Sequence, residues 1–130
     1  MESARKPVVS LAGKKVLLVE DEMVLAMMAE DTLQELGCSV VSASRVAGAL
    51  ALAQNQSFDV ALLDVNVAGE EVYPVAAALM VRGVPFVFAS GYGQGGLRHD
   101  FKMRRALEKP YRQEDIKLAL IEALVGEARA

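Results

Sequence analysis

Residues 15–22 have the sequence KVLLVEDE, an apolar run that ends abruptly at three acidic residues. Positions 16–19 are all apolar, which is typical of a strand covered on both faces; a half-exposed strand would alternate apolar and polar residues. Residues 60–64 (VALLD) repeat the pattern, and here Asp64 closes the apolar run. The two stretches predict strands of a parallel sheet that is covered on both faces.

Segments of strand type alternate with segments of helical type along the rest of the chain. Such alternation predicts right-handed crossovers between parallel strands, and therefore an α/β fold with helices on both faces of the sheet. We expect a doubly wound, five-stranded parallel sheet with five helices, arranged as a three-layer sandwich. The predicted strands are Lys15–Val19, Ser39–Ala43, 60–63, 85–89 and 105–107, and the predicted helices are 23–36, 45–54, 72–81, 97–102 and 113–128.

The length and composition restrict the class of protein. A chain of 130 residues fits one domain, which we place at 14–126, after a flexible tail at 1–13 and with no output domain. The net charge of −3 argues against a nucleic-acid partner, and no apolar run approaches the length of a membrane span. The single cysteine, Cys38, is consistent with a reducing compartment, so we expect a cytoplasmic protein.

Polar side chains leave the predicted strands at one edge of the sheet. In an open parallel sheet, ligands bind beyond the carboxyl ends of the strands, so residues that follow the strands are brought together. The residues at these positions are Glu20 and Asp21 after the first strand, Asp64 after the third, Ser90 after the fourth and Lys109 after the fifth.

These residue types suit a phosphoryl group and a hard divalent cation. Carboxylates crowded together repel each other and need a counter-charge, which Mg²⁺ supplies through one or two carboxylates, water and phosphate oxygens. Asp64 is then a nucleophilic carboxylate, while Lys109 and Ser90 offer a positive charge and a hydroxyl donor to phosphoryl oxygens. Taken singly, each of these residues could be an ordinary turn or surface group; the joint pattern favours the functional interpretation.

Four motifs carry a resemblance to a known family. In order, VLLVEDE, LLDVN, FASGY and EKPY resemble the receiver domain of two-component response regulators, at family-like spacing from about Lys14 to Leu124. The resemblance implies a flavodoxin-like fold and phosphorylation of Asp64 by a histidine kinase. It also implies that Asp21 binds Mg²⁺ directly and Glu20 through water.

The resemblance assigns three further positions. It implies that Asn66 contributes its backbone carbonyl to the Mg²⁺ site and that Ser90 and Lys109 contact the phosphoryl group. Residues 88–92 (FASGY) are similar to the signature of FAT GUY receivers, with Ser90 in place of threonine. These receivers are often stand-alone proteins associated with HWE-type or related histidine kinases.

The chain departs from the family pattern three residues before Lys109. Most receivers have a tyrosine or phenylalanine there that rotates inward on activation, whereas this chain has Ala106. A methyl group has no rotamer to change, so the usual aromatic coupling cannot operate in its standard form. Tyr92 is one substitute, and reorganisation of the glycine-rich residues 91–96 and the helix after them is another.

The sequence therefore predicts a single-domain response regulator and not an enzyme. Phosphorylation of Asp64 would alter partner binding, or would relay or drain phosphate, with a sensor histidine kinase or histidine phosphotransferase as donor and a downstream protein as a further partner. The alternative is a small Mg²⁺-dependent phosphohydrolase with an aspartyl-phosphate intermediate, although Asn66 stands where such enzymes need a second acid. A pseudo-receiver that signals without phosphate is a third hypothesis, against which Asp64 and Lys109 argue.

Overall fold

The computed structural model describes residues 10–91, 96–101, 104–109 and 111–129. Within these ranges the chain forms seven strands and four α-helices. The strands are β1 (Lys15–Val19), β2 (Ser39–Ala43), β3 (Val60–Asp64), β4 (Asn66–Val67), β5 (Glu70–Glu71), β6 (Phe86–Ser90) and β7 (Ala106–Glu108). The helices are α1 (Met23–Glu35), α2 (Val46–Asn55), α3 (Tyr73–Val81) and α4 (Gln113–Arg129).

Five of the strands form one parallel sheet in the order β2-β1-β3-β6-β7. The order reverses direction at β1, because the chain moves outward from β1 to β2 and then returns to the other side of β1 with β3. This is the doubly wound topology, which places ligands at the carboxyl ends of the central strands. The predicted five-stranded parallel sheet is confirmed.

Two hydrophobic cores lie on opposite faces of the sheet, because successive side chains of a strand point to opposite sides. Leu17 and Leu63 belong to the core beneath α2 and α3, whereas Leu18 and Leu62 belong to the core beneath α1 and α4. Both strands are therefore apolar at every position. The predicted three-layer arrangement is confirmed.

The prediction of five helices was wrong, since the described residues contain four α-helices. Where a helix over 97–102 was expected, His99–Phe101 forms a short 3₁₀ helix. Its backbone bonds span three residues, with the Phe101 N–H donating to the Arg98 carbonyl at 2.8 Å. The segment is instead held by burial of Leu97 and Phe101 and by a hydrogen bond from the Arg98 N–H to the Tyr73 hydroxyl. Lys102 lies outside the described residues.

A small hairpin between β3 and α3 was not predicted. β4 and β5 are antiparallel, and Ala68 and Gly69 form the two-residue turn between them. Both turn residues have positive φ, +52° at Ala68 and +85° at Gly69, as a tight hairpin turn of the type I′ class requires. The sequence marks the turn by its glycine, but strands of two residues are too short to give a periodic signal.

The packed domain begins before Lys14. Leu11 is buried, and the Gly13 N–H donates to the Gly37 carbonyl at 2.8 Å. Gly37 follows the end of α1, as predicted, and a Cβ there would lie 3.0 Å from the Ala12 Cα. The expected tail thus contributes packed residues from Leu11 onward, while residues 1–9 lie outside the described ranges. No helix in the described part of the chain is long and apolar enough to cross a membrane.

Candidate functional site

The carboxyl edge of the sheet collects the side chains that the sequence nominated. β3 and β6 end beside each other, with Asp64 paired to Ala89, and β6 and β7 pair Ser90 with Glu108. Lys109 follows directly, and its N–H donates to the Ser90 carbonyl at 2.9 Å. The sheet register therefore fixes the spacing between Asp64, Ser90 and Lys109 through backbone hydrogen bonds.

Three carboxylates converge at this edge. Glu20, Asp21 and Asp64 each place one carboxylate oxygen within 4.8 Å of the others. Glu20 and Asp64 are buried, whereas Asp21 is exposed. Oxygen donors in this number and charge fit a hard divalent cation that keeps part of its water shell, as Mg²⁺ does.

Lys109 supplies a positive charge inside the cluster. Its Nζ lies 3.3 Å from Asp64 Oδ2 and 3.5 Å from Glu20 Oε1. Its side chain is one-fifth exposed, so the ammonium is largely covered from solvent where it meets the carboxylates. One ammonium stands against three carboxylates, which leaves the described site with a deficit of positive charge.

The pKa values of the two buried acids and of the lysine are all raised. Burial, together with the nearby Asp64 carboxylate, raises the pKa of Glu20 from 4.5 to about 7. Burial also raises the pKa of Asp64, against the opposing effect of the Lys109 ammonium. Burial of Lys109 disfavours its charge, yet the Asp64 and Glu20 carboxylates outweigh that cost and raise the pKa of Lys109. A bound cation would favour the ionised form of both acids.

Ser90 and Asn66 lie at the edge of the cluster. Ser90 is buried at the end of β6, in the strand and not after it as predicted. Asn66 follows Asp64 by two residues, and its N–H donates to Asp64 Oδ1 at 3.4 Å. The Asn66 side chain accepts a hydrogen bond from the Gly69 N–H at 3.1 Å, so it stabilises the hairpin turn.

Two neighbours of the site were not singled out by the sequence. The Ala68 N–H donates to Asp21 Oδ2 at 3.1 Å, which joins the hairpin to the acidic cluster. Tyr111 is partly buried, and burial together with the Glu20 and Asp64 charges raises its pKa. The EKPY motif signals Tyr111, but a backbone contact across 47 positions has no sequence signal.

An aromatic cluster adjoins the site on the α2–α3 face of the sheet. Tyr73 stacks on Phe101 with ring centroids 5.1 Å apart, and Phe88 meets both rings edge-on at 5.6 Å. The Arg98 guanidinium lies over the Tyr73 ring at 4.6 Å. Ala106, paired with Phe88, packs against this core. Residues 92–95, including Tyr92, lie outside the described residues.

Comparison with known proteins gives a family match over most of the chain. The model of the response regulator receiver domain family matches residues 16–121. A curated relative, the sensor histidine kinase AruS of Pseudomonas aeruginosa PAO1, is 30% identical over 131 residues, covering 94% of this chain. The chain spans 13% of the length of that relative.

Solved structures share the fold. The solution structure of SdrG from Sphingomonas melonis Fr1 is 39% identical, with a TM-score of 0.76 over 90% of this chain and 99% of that one. The receiver domain of the sensor histidine kinase PA1611 from Pseudomonas aeruginosa PAO1, solved with magnesium coordinated in its active-site cleft, is 24% identical. Its TM-score is 0.73 over 88% of this chain and 99% of that one.

Proposed function

The chain belongs to the response regulator receiver domain family of two-component systems, and on that premise we propose that Asp64 accepts a phosphoryl group from the phosphohistidine of a sensor histidine kinase or a histidine phosphotransferase. The observation that carries the proposal is the contact of Lys109 Nζ with Asp64 Oδ2 at 3.3 Å, in an acidic cluster at the carboxyl edge of the sheet. A carboxylate paired with a lysine at the carboxyl edge of the sheet has the parts that phosphoryl transfer needs.

In the proposed reaction an Asp64 carboxylate oxygen attacks the phosphorus of phosphohistidine. An O–P bond forms as the P–N bond breaks, the bonding pair stays on the departing imidazole nitrogen, and an acyl phosphate remains on Asp64. Lys109 holds a positive charge beside the oxygens of the transferring group, and the Ser90 hydroxyl donates to one of them. The protein thus contributes positioning and electrostatic stabilisation.

The same residues fit Mg²⁺. Glu20, Asp21 and Asp64, with the backbone carbonyl of Asn66, would hold the ion, as the convergence of three carboxylate oxygens supports. When bound, Mg²⁺ neutralises charge on the phosphoryl oxygens and on the buried acids. The magnesium coordinated in the cleft of the PA1611 receiver supports this proposal by analogy.

We propose that the chain acts as a signalling module of the FAT GUY subfamily, with an HWE-type kinase among its donors. The FASGY segment supports the subfamily, and the likeness to SdrG at 39% identity is compatible with it. Phosphorylation would then change the binding of a downstream protein, or relay or drain phosphate. The cytoplasmic location stays a prediction. The comparisons give no support to the phosphohydrolase alternative.

We propose that the kinase docks along α1. Met23, Met27 and Met28 are each more than half exposed, and methionine suits an adaptable binding surface. Met28 also lines a cleft of about 670 Å³ between α1 and the start of α4. This surface adjoins the site because α1 begins directly after Glu20 and Asp21.

Incubation with acetyl phosphate and Mg²⁺, or with a candidate phosphorylated kinase, tests the proposal. We expect the wild type to incorporate phosphate and Asp64→Ala to incorporate none. Equal incorporation by Asp64→Ala would refute the acceptor assignment. Steady release of inorganic phosphate over many turnovers, without accumulation of the phosphorylated protein, would favour the hydrolase alternative.

A further inference from the structure

The β4–β5 hairpin contacts two of the three clustered carboxylates through its backbone. The Ala68 N–H donates to Asp21 Oδ2 at 3.1 Å, and the Asn66 N–H donates to Asp64 Oδ1 at 3.4 Å. Asp21 follows β1 and Asp64 ends β3, so one short segment of chain joins acids that are distant in sequence. Each bond occupies one of the roughly four lone-pair positions of a carboxylate and leaves the others for a cation.

The turn is built so that the Ala68 N–H is available to Asp21. The ladder of the hairpin consists of the pairs Asn66–Glu71 and Val67–Glu70, and Ala68 lies outside both. The Asn66 side chain accepts from the Gly69 N–H, and the Val72 N–H closes the base of the loop on the Val65 carbonyl at 2.9 Å. Positive φ at both Ala68 and Gly69 is what allows so short a connection.

Asp21 needs such a restraint for a physical reason. Its side chain is exposed, and its neighbours Glu20 and Asp64 are acids that repel it. Without a donor on the hairpin side, the Asp21 carboxylate would rotate into water and away from the cluster. A backbone N–H cannot rotate away or lose its proton, so it holds Asp21 in place before a cation arrives.

We infer that the 66–69 turn is a positioning device for the metal site, and that the Ala68 N–H preorganises Asp21 for Mg²⁺. The inference rests on the proposed function, because it concerns the same acidic cluster. It adds the Ala68 N–H and Gly69, which act on the proposed ligand Asp21 and are not themselves ligands of the ion. The left-handed conformation of Gly69 maintains the hairpin turn, and therefore the affinity for the metal.

Substitution at Gly69 tests the inference through backbone conformation alone. A Cβ at Gly69 would meet nothing within 4 Å, so Gly69→Val acts through the φ of +85° and not through a clash. Gly83, after α3 and away from the site, offers a matched control, because it has φ of +72° and equally open surroundings. Gly69→Ala is a milder variant should Gly69→Val fail to fold.

We expect isothermal titration with Mg²⁺ to show about a tenfold weaker Kd for Gly69→Val, a smaller loss for Gly69→Ala, and a change below about twofold for Gly83→Val. The Ala68 amide should exchange faster with solvent in the Gly69 variants, whereas Gly83→Val should leave it protected. Wild-type affinity in both Gly69 variants, or an equal loss in Gly83→Val, would overturn this inference alone. Absence of Mg²⁺ binding by the wild type would overturn the proposed metal site and this inference with it.

Discussion

The acidic cluster and the aromatic cluster both adjoin β6 but differ in chemistry. The first brings charged groups together, and the second packs aromatic rings. In the acidic cluster, buried Glu20 and Asp64 face one ammonium, and burial raises the pKa of both acids. In the aromatic cluster, the rings of Tyr73, Phe88 and Phe101 pack on each other, and the Tyr73 hydroxyl accepts the Arg98 N–H at 2.7 Å. The first cluster brings like charges together, whereas the charged and polar groups of the second have partners within the chain.

The difference indicates a division of labour along β6. Phe88 lies in the aromatic cluster, and Ser90, two residues later, lies at the acidic site, so one strand connects them. The carboxyl end of the strand carries the charged groups, and its middle carries the aromatic packing. Variants of the aromatic cluster should therefore change stability with little effect on phosphoryl transfer. Variants of the acidic cluster should change phosphoryl transfer, and should change stability through the charge of the two buried acids.

The largest effect on stability is expected for Phe88→Ala. The ring is fully buried, and its removal should lower the free energy of unfolding by about 3–5 kcal/mol, which is the usual cost of such a truncation. Urea unfolding measures this loss. Phe88→Leu, which keeps most of the volume, should lose less than half as much, and the folded fraction of either variant should still accept phosphate.

Lys109→Met should have the converse effect. It removes the ammonium that lies 3.3 Å from Asp64 Oδ2, and loss of one such charge commonly slows a reaction about 10²- to 10³-fold. The measurement is the rate of phosphorylation by acetyl phosphate at saturating Mg²⁺. Lys14→Met is the control, because Lys14 lies before the amino end of β1 and the site lies beyond its carboxyl end. This variant should retain the wild-type rate. A Lys109→Met rate within a few-fold of wild type would contradict the role given to Lys109.

The buried acids predict a pH dependence of stability in the metal-free protein. The pKa of Glu20 is about 7 when folded against 4.5 when unfolded, so the folded state binds more protons between these values. The free energy of unfolding should fall as pH rises through this window, by up to about 3 kcal/mol, at 1.36 kcal/mol per pKa unit. Asp64 acts in the same direction. Urea unfolding in EDTA, repeated across this pH range, gives the free energy of unfolding at each pH. This free energy should depend less on pH in Glu20→Gln than in the wild type, and an unchanged dependence on pH would refute the explanation.

The smallest effect is expected for Tyr73→Phe. The ring contacts with Phe88 and Phe101 persist, but the Arg98 N–H loses its acceptor at a part-buried position. This should lower the free energy of unfolding by about 1–2 kcal/mol. Urea unfolding measures this loss, and amide exchange of Arg98 should accelerate about tenfold. Wild-type stability together with wild-type exchange at Arg98 would contradict the role given to the Tyr73 hydroxyl.

Much of this arrangement is visible in the sequence because it depends on local patterns. The fully apolar strands predict the sheet, and parallel connection brings Glu20, Asp64 and Lys109 to one edge. The 3₁₀ turn at His99–Phe101 was missed because its conformation depends on the distant Tyr73, which accepts the Arg98 N–H. The hydrogen bond from the hairpin to Asp21 was missed because its donor is a backbone N–H. Such a donor is common to nearly all residue types, so no particular residue in the sequence marks it.

Locating the phosphorylated residue decides whether Asp64 is the phosphoryl acceptor that we propose. After phosphorylation with acetyl phosphate and Mg²⁺, borohydride reduces an aspartyl phosphate to homoserine, which peptide mass mapping can place. We expect homoserine at position 64 in the wild type and unmodified peptide in a sample prepared with EDTA. Homoserine at another acid, with position 64 unmodified, would contradict it.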